Sequence, residues 1–268
     1  MLKRQNNHFG LALFFVAIFC LTVANAFSQN GRKVASSKAV TYKIKILESL
    51  PHDINAYTQG LFFYKQQLYE SAGQYGQSSF RKVDLKSGTI LQSIKFPAKY
   101  FAEGSTVIGN RLYILTWMEK VVFVYDINTL KPLGQFFNPR EGWGLTTDGK
   151  RLIMSDGSSN IFFLNPDTFQ ETGKISVTLN GKEVSKLNEL EYIKGEIWAN
   201  VYCEDKIVII NPLTGGVKAV VDCKNLLPQN MRTPQTDVLN GIAHDPVTDR
   251  IYITGKNWPR MFRISLLK

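Results

Sequence analysis

Between Ala35 and Lys268 apolar and polar residues alternate in short runs, and no long stretch places its apolar residues at helical spacing. Lys43-Ile44-Lys45-Ile46, Val121–Tyr125, Ile161–Leu164 and Ile207–Ile210 have the two-residue period of half-buried strands. Turn formers separate such runs at close intervals, as in Asp84-Leu85-Lys86-Ser87-Gly88, Asn165-Pro166-Asp167-Thr168 and Asn211-Pro212-Leu213-Thr214-Gly215. The pattern predicts an all-β chain of antiparallel hairpins.

The hairpins recur. Gln67-Leu68-Tyr69-Glu70, Arg111-Leu112-Tyr113-Ile114, Arg151-Leu152-Ile153-Met154, Glu196-Ile197-Trp198-Ala199 and Arg250-Ile251-Tyr252-Ile253 are one motif, repeated at intervals of 44, 40, 45 and 54 residues. A second phrase precedes each copy: Gln59-Gly60-Leu61, Glu103-Gly104-Ser105, Trp143-Gly144-Leu145, Asn188-Glu189-Leu190 and Asn240-Gly241-Ile242. Repeats of this length with four short strands are the signature of propeller blades. The expectation is a five-bladed β-propeller over residues 40–268. The last copy ends too early for a fourth strand. Val40–Ile46, which precedes the first copy, is expected to fill that place and close the ring.

The N-terminus has another character. Lys3 and Arg4 precede the apolar run Phe9–Val23, and Ala24-Asn25-Ala26 supplies small residues at a cleavage position. Residues 1–26 read as a secretory signal peptide and 27–39 as a flexible leader. The protein is therefore expected to be exported, periplasmic or secreted, with no stable membrane insertion after cleavage and with monomeric behaviour. Phe19 before Cys20 argues against a lipid anchor. Cleavage leaves Cys203 and Cys223, which lie almost equally far from the turn Asn211–Gly216. If the flanking strands pair as a hairpin, the sulfurs approach each other. One disulfide and two buried free thiols both remain open in an oxidising compartment. The formal net charge is +10, but Lys and Arg are scattered, so no nucleic-acid partner is expected.

The repeat register separates framework from exceptions. The first strands of propeller blades line the central channel, so Gln59, Glu103, Trp143, Asn188 and Asn240 form a ring at one mouth. Such varied chemistry at one repeat position points to a binding surface or to simple exposure at loop ends. Along the second strand Glu70 occupies the slot held by Ile114, Met154, Ala199 and Ile253. A carboxyl group there is either a buried acid–base group with a raised pKa or a partner for the segment Ser78-Ser79-Phe80-Arg81. Three residues further on, the column reads Gly73, Trp117, Gly157, Tyr202 and Lys256, which places Lys256 beside the first blade of a closed ring. Trp117 and Trp143 fall in variable columns and suit an apolar pocket wall. Trp198 shares the slot of Tyr69, Tyr113 and Tyr252, and packing explains it at least as well. His52 and His244 sit beside turns, which favours turn hydrogen bonds. With so few His, and with nucleophile-elbow, zinc-protease, P-loop and dinucleotide motifs all missing, neither a catalytic metal nor a cofactor is expected.

Several phrases resemble the glutaminyl cyclases of the plant and bacterial type. They are Pro51-His52-Asp53, Tyr57-Thr58-Gln59-Gly60-Leu61, Glu70–Ser79, Phe101-Ala102-Glu103-Gly104, Leu115-Thr116-Trp117, Leu187–Glu191, Trp198-Ala199-Asn200 and Thr254–Pro259. The likeness runs in order through residues 40–268. It departs at Tyr57, where Phe is usual, and at Ala72, where Thr is common. The resemblance implies a five-bladed propeller that converts N-terminal Gln of peptides or proteins to pyroglutamate with loss of ammonia and without a catalytic metal. It implies Glu70 as the general acid and base, with Lys256 and Asn188 assisting. It further implies Gln59, Glu103, Trp117, Trp143 and Trp198 as substrate-binding residues. A non-catalytic propeller binding peptides or glycans, and a metal-dependent propeller lactonase or lyase, are the alternatives.

Overall fold

A computed structural model of the protein describes residues 38–268. The expected signal peptide, and all but the last two residues of the leader, lie outside the described residues. The described chain is all-β apart from one 3-10 turn at Gln229–Met231. β1 (Val40–Pro51) precedes the first four-stranded antiparallel sheet, β2 (Thr58–Tyr64), β3 (Gln67–Ala72), β4 (Ser79–Val83) and β5 (Ile90–Lys95). The second comprises β6 (Ala102–Ile108), β7 (Arg111–Thr116), β8 (Val121–Asp126) and β9 (Pro132–Phe137). The third comprises β10 (Leu145–Thr147), β11 (Leu152–Ser155), β12 (Asn160–Leu164) and β13 (Glu171–Ser176). A small hairpin, β14 (Thr178–Leu179) and β15 (Lys182–Glu183), leads to β16 (Leu187–Ile193), β17 (Glu196–Val201), β18 (Lys206–Ile210) and β19 (Val217–Asp222). Last come β20 (Leu239–Asp245), β21 (Arg250–Gly255) and β22 (Arg260–Leu267).

β1 runs antiparallel to β22 from Lys43↔Leu267 to Pro51↔Arg260. Its outer edge pairs in parallel with β19, from Val40↔Ala219 to Lys43↔Asp222. The last two units thereby join in one eight-stranded sheet. The first strands of successive units touch in a cycle: β2 on β6, β6 on β10, β10 on β16, β16 on β20, and β20 back on β2. Alternate residues face opposite sides of each sheet, and because both sides pack on neighbouring units through apolar layers, the inner strands β3, β7 and β17 are buried along almost their whole length. One layer packs Phe62, Tyr69 and Phe80 against Leu112 and Ile114; another packs Ile153 and Phe163 against Ile197 and Val208.

Four of the first strands share an irregularity that matters for the site. The register with the second strand slips between Thr58 and Gly60, Ala102 and Ser105, Leu187 and Leu190, and Leu239 and Ile242. A bulge leaves residues unpaired and re-aims their side chains. The residues skipped include Gln59, Glu103, Asn188 and Asn240, the ring positions of the repeat. Small residues follow because the strands crowd there. A Cβ at Gly104 would lie 2.4 Å from the Leu145 nitrogen, and one at Gly144 would lie 2.0 Å from the Asn188 carbonyl oxygen. The fourth copy has Glu189 in that place. Its buried carboxyl group accepts the Leu61 N–H at 3.3 Å and the Ile242 N–H at 2.8 Å, and so ties β16 to β2 and β20.

Candidate active site

The bulges aim Gln59, Glu103 and Asn188 into a pocket of about 180 Å³ that Tyr57, Phe101, Trp117, Trp143, Tyr202 and Lys256 complete. At about 30 Å³ per water molecule, it holds one side chain and its backbone, not a folded segment. The aromatic walls are braced edge to face. Phe101 meets Tyr57 at 6.0 Å and Trp117 at 5.6 Å, and Trp143 meets Tyr202 at 5.7 Å.

The column after the second strand explains this geometry. Trp117, Tyr202 and Lys256 project from it into the pocket. Its other two members are glycines because rings cover them. A Cβ at Gly73 would fall 2.2 Å from the Phe101 ring, and one at Gly157 would fall 2.7 Å from the Trp143 ring.

The polar groups form a chain. Asn240 Nδ2 donates to Gln59 Oε1 at 3.2 Å and to the Thr58 carbonyl at 2.8 Å. This fixes the Gln59 amide so that its Nε2 donates to Glu103 Oε1 at 3.0 Å. Glu103 Oε2 is left for a reacting group. Burial pushes the Glu103 carboxyl well above the usual range; Lys256 opposes that rise, while Glu119 and Glu141 add to it. Burial lowers the pKa of Lys256, against the pull of Glu103 and Asp237. Its Nζ lies over two phenol rings, 4.6 Å from the Tyr57 centroid and 5.0 Å from that of Tyr202. Asn188 Oδ1 is buried without a hydrogen-bond partner, an acceptor prepared for something that enters.

The sequence pattern of the glutamine cyclotransferase family matches residues 16–266. A glutaminyl-peptide cyclotransferase of Arabidopsis thaliana is 40% identical over 263 residues, spanning 96% of this chain and 82% of the relative. The crystal structure of the Myxococcus xanthus glutaminyl cyclase superimposes with a TM-score of 0.79 at 35% identity, covering 85% of this chain and 98% of that one. This chain belongs to the glutamine cyclotransferase family.

Within this cyclotransferase the structure brings together Gln59, Glu103, Trp117, Trp143, Asn188 and Lys256. Two residues that the resemblance implied for the site, Glu70 and Trp198, need correction. Glu70 does not line the pocket. Its Oε1 accepts His52 Nε2–H at 2.9 Å and Thr58 Oγ1–H at 2.7 Å, and Arg81 Nη1 stands 3.9 Å from Oε2. Burial alone would raise the Glu70 pKa, but His52, Arg81 and Thr58 together bring it below the ordinary value. Burial alone would lower His52, yet Glu70 and the Trp258 carbonyl raise it. Glu70 is thus a buried carboxylate paired with an imidazolium, the opposite of a poised acid. Its repeat slot faces the framework, as buried Ile114, Met154, Ala199 and Ile253 show. The carboxyl group matching the expected raised pKa is Glu103.

Trp198 is the second correction. It packs with Ile207, Ile253 and Phe262 in the outer apolar layer, as its aromatic slot allows. The wall position belongs to Tyr202. Of the two outcomes left open for the cysteines, the structure has the free thiols, with Cys223 buried and Cys203 exposed. The β18–β19 ladder ends at Lys206↔Asp222, before either cysteine. Cys203 lies exposed beyond β17 at φ 64°, while Cys223 turns inward against Leu226 and Leu227. His52 also departs from a local turn role, bridging Glu70 to the Trp258 carbonyl, which accepts Nδ1–H at 2.7 Å.

Tyr57, Phe101 and Tyr202 were the pocket residues not singled out. Tyr57 and Phe101 each stand two residues before a ring position, and Tyr202 shares the column of Trp117 and Lys256. Both signals lay in the repeat alignment.

Proposed function

We propose that this pocket folds the N-terminal glutamine of a peptide into pyroglutamate and releases ammonia, with Glu103 moving the proton. The observation that carries the assignment is Glu103 itself, buried, held through one oxygen by Gln59 and raised in pKa inside an aromatic cage that also holds Lys256.

The substrate contains both reactants, so the pocket's first task is to hold the α-amine against the γ-carboxamide carbon, and positioning of this kind lowers a barrier substantially. Asn188 Oδ1 accepts from the α-amine and fixes its direction. The neutral amine attacks the γ-carbon, and the carbonyl oxygen gains negative charge. Lys256, cationic between Tyr57 and Tyr202, stabilises that charge at short range. Glu103 as carboxylic acid gives its proton to the departing nitrogen, the C–N bond breaks and ammonia leaves. The Glu103 carboxylate then takes a proton from the new ring nitrogen, which restores the starting state. One group serves both transfers because burial raises its pKa well above that of an ordinary carboxylate, so that it can hold a proton and still give it up. The aromatic walls exclude water, which favours cyclisation over hydrolysis to glutamate.

The architecture that supports this site is read as a five-bladed propeller with β1 as the closing strand. The cyclic contacts of the first strands and the seat of β1 beside β22 support that reading. Export as a monomer, with peptides or proteins that begin with Gln as partners, completes the proposal. Purified protein incubated with a Gln-initiated peptide is expected to release one ammonia per peptide and to leave a product 17 Da lighter, the mass of ammonia, at a rate unchanged by chelator. Absence of turnover removes the proposal, and inhibition by chelator favours a metal enzyme.

A further inference from the structure

Glu141 stands outside the pocket lining, yet it contacts two of its walls. Trp117 follows β7 and Trp143 precedes β10, so the two indoles come from neighbouring units. Glu141 lies on the segment that connects those units. Its Oε2 accepts both indole N–H groups, Trp117 Nε1 at 2.8 Å and Trp143 Nε1 at 3.0 Å. The backbone brings it there. The Gly142 N–H donates to the Trp117 carbonyl at 3.1 Å, and a Cβ at Gly142 would stand 2.6 Å from the Thr116 carbonyl oxygen.

We propose that Glu141 is a positioning residue of the cyclisation site: one carboxylate oxygen, shared by both indole N–H groups, sets the spacing of the Trp117 and Trp143 walls, and the group carries a negative charge beside the pocket. The proposal rests on the pocket being the site of cyclisation. An indole ring has one polar edge and no internal device to fix its tilt. Two rings sharing an acceptor cannot tilt independently, and each is already braced on its other side, Trp117 by Phe101 and Trp143 by Tyr202. The carboxylate, itself exposed, also adds negative charge beside the pocket walls. The groups acting on Glu103 are Lys256, which favours its ionised form, and Glu119 and Glu141, which disfavour it. Burial is the main reason that the phenols of Tyr57 and Tyr202 are raised, and the Glu119 hydrogen bond the main reason for Tyr75; Glu103 adds a smaller push to each.

Two substitutions separate the tasks. Glu141→Gln keeps an oxygen acceptor for both indoles and deletes the charge. Glu141→Ala removes both. Glu141→Gln is expected to hold KM within about twofold, because the hydrogen bonds survive. Loss of the charge lowers the Glu103 pKa, so the alkaline limb of kcat/KM, which follows loss of the Glu103 proton, moves to lower pH. Glu141→Ala is expected to show the same displacement with a KM raised roughly tenfold, the size of one to two lost hydrogen bonds. Its near-ultraviolet tryptophan dichroism is expected to weaken, whereas Glu141→Gln retains it. An unchanged KM and dichroism in Glu141→Ala overturns the wall-setting role, and an unmoved alkaline limb in Glu141→Gln overturns the charge role. If the alanine variant does not fold, the glutamine variant still decides through its pH profile. Glu103→Gln, assayed alongside, tests the underlying reading. Retained turnover there removes the pocket as the site, while lost turnover with wild-type behaviour of both Glu141 variants removes only this proposal.

Discussion

Replacing Glu70 by Gln should cost stability and spare catalysis. The side chain sits between His52 Nε2 at 2.9 Å, Thr58 Oγ1 at 2.7 Å and Arg81 Nη1 at 3.9 Å. His52 Nδ1–H donates to the Trp258 carbonyl, and the upward shift of His52 with the downward shift of Glu70 favours the imidazolium–carboxylate form of the contact at Nε2. Removing one partner of a buried pair costs about 3–5 kcal/mol because the other charge is stranded. The amide still accepts from Thr58, and His52 relieves its own charge by losing a proton, so the lower end, about 3 kcal/mol, is expected. In a domain of this size that corresponds to a fall in Tm of roughly 6–12 °C. The sign with pH follows from the two shifts. Glu70 is lowered, so its contribution is complete above about 4.5 and fades as pH falls through the folded value. His52 is raised, so its contribution is complete below about 6.5 and fades as pH rises through the folded value. The gap in Tm between the two proteins should therefore be widest between about pH 4.5 and 6.5. Differential scanning calorimetry across pH, with kcat on a Gln-peptide measured in parallel, is the assay. A kcat reduced a hundredfold with an unchanged Tm would refute the pairing argument and return Glu70 to the chemistry.

Two further outcomes follow. Lys256→Met, which keeps the stem between Tyr57 and Tyr202 but removes the cation, is expected to lower kcat by about 10²–10³, the worth of a preorganised oxyanion donor; steady-state kinetics showing a change in KM alone would contradict that role. In the folded, non-reduced protein, thiol titration is expected to find Cys203 reactive at once and Cys223 only on denaturation, since burial pushes the Cys223 thiol far up; a reductant-sensitive Tm would contradict two free thiols.

The sheet architecture was legible because the repeat copies the same strand, turn and glycine signals, and each copy limits the reading of the others. The ring positions Gln59, Glu103 and Asn188 were legible for the same reason, since a bulge at the same place in each copy turns them toward the pocket, while Trp143 reaches it from just before β10. Glu70 misled because a single carboxyl group in an apolar column does look out of place. Of its partners, Arg81 on β4 lay in the segment already offered as the alternative, whereas His52, on the connection after β1, comes from outside the column and alignment of copies could not show it. Trp198 was ambiguous because an indole suits an apolar layer as well as a pocket wall, and only the strand face decides. The cysteines stayed undecided in the sequence because the end of the ladder could not be read from it. Equal separation from a turn predicts proximity only while pairing lasts, and here it stops short of both residues.

The most direct test of the account is turnover by Glu103→Gln. The substitution keeps the acceptor that Gln59 Nε2 engages at 3.0 Å and removes the proton that the pocket holds in place. The account predicts that kcat for ammonia release from a Gln-peptide falls by about 10²–10⁴ while KM and Tm stay close to those of the parent. Turnover within a few-fold of the parent would contradict it.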